Sequence, residues 1–271
     1  MAHIRMKIYS NCLRRYTHVT VLVPTPTEGD YPPEEIDTFD GPHFFQDQPS
    51  YRVLYLLHGT HGDDTDWSYY SNVERDIIGT DLMVVCPDGG NSFWTDMEDG
   101  PLQETFLTQE LREYINRLFP TLPERENTFL AGLSMGGFAT LNIAMKYPEI
   151  YGKVASFSAG IIPDDLEAIT TRTYPWRLFL ADDKKVEGSK VDGIMSMKKA
   201  LRQNLTLPQI YLTIGTDDYL YENVQRTRKI FDEHNVAYEY HECEGEHNFE
   251  FWSSQIGSVM EWMLDDHRLK T

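Results

Sequence analysis

Cysteine is scarce in this chain: Cys12, Cys86 and Cys243 are the whole complement, an odd number without a CxxC spacing. That argues against a disulfide framework and a thiolate metal site, and it fits a reducing compartment. Basic residues are also few, 24 Lys and Arg against 43 Asp and Glu, and the net charge of −19 repels phosphate backbones and anionic membranes at long range. Neither nucleic acid nor membrane is expected as a partner. No apolar run approaches the roughly 18 residues of a membrane span. The opening MAHIRMKIYS lacks the apolar centre of a signal peptide, so the expected location is cytoplasmic. Internal repeats and low-complexity segments are missing as well.

What is present is an ordinary globular profile, 41% hydrophobic and 13% aromatic over 271 residues, enough for one large core. A single domain over 1–271 is the expectation. THVTVLVP at 17–24 alternates as a half-exposed antiparallel strand near a sheet edge does. Residues 25–50 are proline-studded and aperiodic and read as a long surface loop. The runs at 51–57 (YRVLYLL), 82–86 (LMVVC), 128–131 (TFLA), 153–157 (KVASF) and 209–214 (QIYLTI) are continuously apolar, the signature of strands buried on both faces. Between them, 108–119, 138–146 and 222–234 carry amphipathic helical patterns, with Leu111, Ile115 and Leu118 as the stripe of the first. Alternating strands and helices predict a doubly wound α/β sandwich whose ligands bind at the carboxyl ends of the strands. The stretch 161–204 interrupts the alternation and reads either as an insertion over the sheet or as a helix pair that completes the sandwich.

Gly132-Leu-Ser134-Met-Gly136-Gly137 lies between TFLA and the helical FATLNIAMKY. This is G-x-S-x-G where its mechanism needs it, at a sharp strand-to-helix turn that projects Ser134 from the sheet. The Met135 N–H, at the helix N-terminus, would face a developing oxyanion. A serine hydroxyl needs a base to activate it, and the base needs a carboxylate to fix its tautomer. Asp217 and Asp218 follow the strand QIYLTI and end on the same edge as Ser134; the G-x-x-D turn favours Asp218, with Asp217 as the fallback. Later histidines are His234, His241, His247 and His267. The first ends a helix, the second sits in the edge strand AYEYHEC, and the last lies in a charged tail, which leaves His247, after Gly245 in ECEGEHNFEFW, as the base. The loop LLHGTHGDDTDW at 56–67 supplies Thr60 N–H as a second oxyanion donor, with His58 as a structural tie for that loop. Its Asp63-Asp64-Thr65-Asp66 cluster lacks the glycine and distal glutamate of a calcium loop, so neither metal nor other cofactor is expected.

GLSMGG, the LLHG-x-x-G loop ending in Trp67, PDGGNSFWTD at 87–96, GTDDYLYE at 215–222 and GEHNFEFW at 245–252 together resemble the esterase D family of α/β hydrolases, from about Tyr51 to Trp262. That family includes carboxylesterases, feruloyl esterases, S-formylglutathione hydrolases and, more distantly, mycolyltransferases. The resemblance implies an α/β-hydrolase fold with a mostly parallel sheet, helices on both faces and a small cap at about 161–204, before the acid-bearing strand. It implies a Ser134, Asp218, His247 triad, with the oxyanion held by Thr60 and Met135. Trp94 replaces the family's usual tyrosine, as scaffold first and acyl-pocket wall second. Trp176 and Phe179, with Tyr174 and Met195, would add an apolar, aromatic pocket for short acyl chains or a cinnamoyl ring. The implied activity is hydrolysis of short-chain acyl or aryl esters of small molecules, by a chain that forms a homo-oligomer as family members often do. An S-formylglutathione hydrolase, an acyltransferase and a non-catalytic binding scaffold are the alternatives; the first is disfavoured because GTHGDDTDW lacks the cysteine-bearing stretch those hydrolases carry after the first core strand.

Overall fold

The structure, a computed structural model, describes residues 1–25, 50–162 and 186–265. Its strands are β1 (Ala2–Ser10), β2 (Arg15–Val23), β3 (Arg52–Leu57), β4 (Leu82–Pro87), β5 (Thr128–Leu133), β6 (Lys153–Phe157), β7 (Gln209–Gly215) and β8 (Glu239–Cys243). They form one eight-stranded sheet in the order β1-β2-β4-β3-β5-β6-β7-β8. The first two pairings are antiparallel, and from β4 to β8 every pairing is parallel. The five apolar runs are therefore strands, and the doubly wound α/β sheet expected from them is present.

Period-2 alternation splits each central strand between two cores. Val53, Tyr55 and Leu57 of β3 and Met83 and Val85 of β4 pack on one face; Leu54, Leu56, Leu82, Val84 and Cys86 pack on the other. The first face is covered by α3 (Leu111–Leu118), α4 (Met135–Lys146) and α5 (Gly193–Arg202). The second is covered by α1 (Asp66–Tyr70), α2 (Val73–Asp76) and α7 (Phe249–Leu264). Between β7 and β8 runs α6 (Tyr221–Glu233). Buried Lys153 fixes the far end of α7, its Nζ donating to the Trp262 and Asp265 carbonyls at 2.9 and 2.7 Å, acceptors that the end of a helix leaves unsatisfied.

Three expectations are corrected. The strand at 17–24 is second from the edge, not half-exposed: β1, unforeseen in the sequence, pairs along its whole length, and Val19 to Val23 are buried. The helix expected at 108–119 begins as a turn at Gln103–Thr105 and passes through a π-helical segment, Phe106–Glu110, before α3; its Leu118 is 58% exposed. The helix at 138–146 starts at Met135 and is buried on nearly all sides, because the sheet holds one face and α5 packs on another. The acidic run at 63–66 is structural at its second member: Asp64 receives Arg5 Nε and Nη2 at 2.8 and 2.9 Å and Thr20 Oγ1 at 2.8 Å.

Glu110 holds the β1–β2 turn, accepting from Ser10 Oγ at 2.5 Å and from the Asn11 and Cys12 amides at 2.7 and 3.1 Å. Burial pushes its carboxyl up, but these donors outweigh burial and hold it below the usual range. A lowered folded value means that the stabilisation is present at neutral pH and is lost as pH falls through that value. Glu110→Gln should therefore lower Tm at pH 7 and leave Tm less sensitive to acid below about pH 4.5, the ordinary glutamate value. Thermal melts across that range test this; parallel Tm curves for the two proteins would refute it.

Candidate active site

Ser134 occupies the turn between β5 and α4 with φ +52° and ψ −117°. A non-glycine residue in that region carries strain of about 1–3 kcal/mol, tolerated only where the surroundings fix it. Here they do: the Ser134 N–H donates to Phe157 O at 2.9 Å, and its carbonyl accepts from Phe138 N at 2.9 Å. Helix α4 approaches β3 so closely that a Cβ on Gly136 would lie 2.7 Å from the His58 and Leu57 carbonyls, so only glycine fits. The hydroxyl is thereby carried to the carboxyl edge of the sheet on a rigid mount.

Asp218 closes a turn after β7 in which its N–H donates to Gly215 O at 3.2 Å. Its side chain is fully buried, and Oδ1 accepts from Leu220 N at 2.8 Å. The loop bearing His247 is stitched to this turn by two backbone bonds, Thr216 N to Cys243 O at 2.9 Å and Asp217 N to Gly245 O at 3.0 Å. His247, 13% exposed, is the last residue before Asn248 caps α7 by accepting from Phe251 N.

These three side chains form one hydrogen-bonded line. His247 Nε2 is 2.9 Å from Ser134 Oγ, and Nδ1 is 2.9 and 3.0 Å from the two Asp218 oxygens. A carboxylate can only accept, so Nδ1 carries the proton and Nε2 is free to take one from Ser134. Asp217, the fallback acid, is exposed and meets Thr216 Oγ1 instead. Among the described residues, neither the Met135 nor the half-buried Thr60 amide donates to a backbone or side-chain acceptor.

The other singled-out residues separate. Trp94 is 0% exposed, and its ring lies against Gly89 and 5.1 Å from the His58 ring, so it is scaffold and presents no surface to a pocket. Met195 lines a cavity of about 850 Å³ with Met145, Ile162 and Val186, away from Ser134 and His247. Tyr174, Trp176 and Phe179 lie outside the described residues, as does His267. Of the remaining histidines, His234 Nδ1 meets Ile230 O and His241 stacks on Tyr211. No group of three or more His, Cys, Asp or Glu side chains among the described residues is arranged to hold a metal ion.

Two residues beside His247 escaped the sequence reading. Tyr219, 72% exposed, covers its outer side with ring centroids 4.4 Å apart. Trp252 meets it edge-on at 5.1 Å from beneath and is anchored by Nε1 donating to Ser158 Oγ at 2.8 Å. The adjacency of Tyr219 to Asp218 and the spacing His247-x₄-Trp252 were the available signals.

A mostly parallel sheet with a serine on the strand-to-helix turn, and an acid and a histidine after later strands, defines an α/β hydrolase. The chain belongs to the family described as "Putative esterase", whose model matches residues 38–262, and it is a carboxylic ester hydrolase. An acetyl esterase of Caldicellulosiruptor saccharolyticus is 29% identical over 275 residues, 97% of this chain and 98% of that protein. Among solved structures, the fluorophosphonate-binding serine hydrolase FphF of Staphylococcus aureus superposes with a TM-score of 0.85 at 23% identity, over 98% of this chain and 99% of that one. An S-formylglutathione hydrolase, FrmB, from the same organism gives 0.79 at 22% identity, over 97% and 99%. No helix among the described residues is long and apolar enough to cross a membrane.

Proposed function

We propose that this esterase is a serine carboxylesterase that hydrolyses short-chain acyl esters, with aryl (cinnamoyl) esters as a second substrate group, in two steps through an acyl-enzyme. His247 takes the Ser134 proton as Oγ attacks the acyl carbonyl, Asp218 holds the imidazole in the Nδ1–H tautomer, and the Thr60 and Met135 amides receive the oxyanion. His247 then returns the proton to the departing alcohol, and water repeats the cycle to free the acid. The observation that carries this reading is the unbroken Ser134–His247–Asp218 line, 2.9 Å at each nearest contact.

The acetyl esterase relative supports a short acyl chain. The net charge of −19 opposes a thioester whose glutathione portion is anionic, and GTHGDDTDW still lacks the cysteine that would favour it. We read the chain as one catalytic domain; of the stretch 161–204 expected as a cap, residues 193–202 form α5 on the sheet face, and 163–185 lie outside the described residues. A matched panel tests the assignment: p-nitrophenyl acetate, butyrate and octanoate beside methyl ferulate and S-formylglutathione. Acetate and butyrate should lead in kcat/KM. S-formylglutathione as the best substrate by tenfold or more, about 1.4 kcal/mol of discrimination, would overturn it.

A further inference from the structure

His58 follows β3 directly, is only 1% exposed, and has a different kind of partner on each ring nitrogen. Nε2 lies 2.9 Å from the Gly89 amide nitrogen, which can only donate, so Nε2 carries no proton. Nδ1 lies 2.7 Å from the Gly59 carbonyl oxygen, which can only accept, so Nδ1 carries it. The two partners thus select one neutral tautomer. The Trp94 ring packs at 5.1 Å and helps keep the imidazole in place.

The carbonyl held by His58 belongs to the peptide unit Gly59–Thr60, whose other polar end is the Thr60 N–H. A peptide unit is planar and rigid, so fixing the direction of its C=O fixes the opposite direction of its N–H. Donation to the oxygen also polarises the unit and strengthens its N–H as a donor. This plane lies beside the nucleophile: a Cβ on Gly59 would stand 3.3 Å from Ser134 Cβ and 2.6 Å from Leu133 Cδ1. On the far side, the His61 N–H donates to Asn91 Oδ1 at 2.8 Å, so Thr60 is flanked by ties to the same 89–91 turn. Among the described residues the one further donor to the Gly59 oxygen is the Gly62 N–H at 3.4 Å, too long to set the plane.

We infer that His58 is a positioning residue for the oxyanion hole: its Nδ1–H, bonded to the Gly59 carbonyl, orients the Gly59–Thr60 peptide so that the Thr60 N–H meets the charge developing on the acyl oxygen. This rests on the proposed role of Thr60. His58 touches neither substrate nor the reacting atoms.

Two near-isosteres separate the functions of the ring. In His58→Asn the side-chain amide reaches the Nδ1 position and can still donate to Gly59 O, while the Gly89 tie is lost. In His58→Gln the amide oxygen reaches the Nε2 position and can still accept from Gly89 N, while the Gly59 carbonyl loses its donor. Losing an entire oxyanion donor costs about 10²–10³ in kcat, so a misaligned one should cost about 10- to 100-fold. With p-nitrophenyl acetate, His58→Gln and His58→Ala should fall by about that factor in kcat with KM little changed, because the interaction forms only in the transition state. His58→Asn should recover most of the rate. An alkylboronic acid, which forms a tetrahedral adduct on the serine, should lose affinity in the Gln and Ala proteins in the same proportion, while Asn and Gln melt at similar temperatures. Equal activity in the Asn and Gln proteins, or losses that simply follow Tm, would overturn the inference. Ser134→Ala, run in parallel, keeps the two levels apart: if it turned over ester normally, the triad reading itself would fall, whereas an inert Ser134→Ala beside unaffected His58 variants would sink only the role of His58.

Discussion

Replacing Ser134 with alanine is expected to lower ester turnover by roughly 10⁴- to 10⁶-fold while leaving the fold intact. The hydroxyl is the only Ser134 side-chain atom that meets His247, and its removal leaves β5, α4 and their backbone bonds to Phe157 and Phe138 in place. Alanine tolerates φ +52° no worse than serine, so Tm should hold. A residual rate above that of water should persist, because the Thr60 and Met135 amides would still polarise a bound ester. The check is twofold: steady-state kcat/KM on p-nitrophenyl acetate, and intact-mass detection of covalent labelling by a fluorophosphonate. Labelling of the alanine protein with the same stoichiometry as the parent would mean that the nucleophile lies elsewhere.

Asp218→Asn should be nearly as damaging, about 10⁴-fold in kcat, for a subtler reason. The asparagine can keep an oxygen on the Leu220 N–H, as Asp218 does at 2.8 Å, and so remain seated in the turn. That leaves its NH₂ facing His247 Nδ1. The imidazole then carries its proton on Nε2, where it opposes the Ser134 hydroxyl and cannot accept from it. Geometry survives and chemistry stops. Asp217→Asn is the internal control: its carboxylate is exposed and bonds only its neighbour Thr216 among the described residues, so kcat/KM should change by less than about twofold. If the two substitutions had equal effects, the acid would be misassigned.

Much of this was legible in the sequence, and for identifiable reasons. The central strands are buried on both faces by helices, so their residues had to be apolar without interruption, which is why 82–86 and 153–157 read as strands directly. The turn that carries Ser134 is local, six residues whose spacing carries its own geometry. β1 escaped notice because its side chains are largely exposed and it is held by pairing to β2, which leaves little apolar signal. The choice between Asp217 and Asp218 turned on side-chain direction within one turn, which composition does not encode. Trp94 read as a residue that could face a pocket because its aromatic type suits both roles; its full burial and the approach of Gly89 to its ring show that it is packed as scaffold. The cover of Tyr219 and Trp252 on His247 depends on how the turn after β7 and the start of α7 meet in space.

The mounting of the three site residues is uneven. Ser134 sits between β5 in the middle of the sheet and a helix buried on nearly all sides. His247 hangs between α7 and β8, an edge strand whose last three residues are exposed. Opening motions in proteins start where few apolar contacts oppose them, and the β8 edge beside His247 is such a place. Warming should therefore detach the imidazole from an otherwise intact serine turn, so catalytic inactivation sets in at a lower temperature than global melting and reverses on cooling. The expected consequence is a working temperature ceiling set by the sheet edge rather than by the strength of the core.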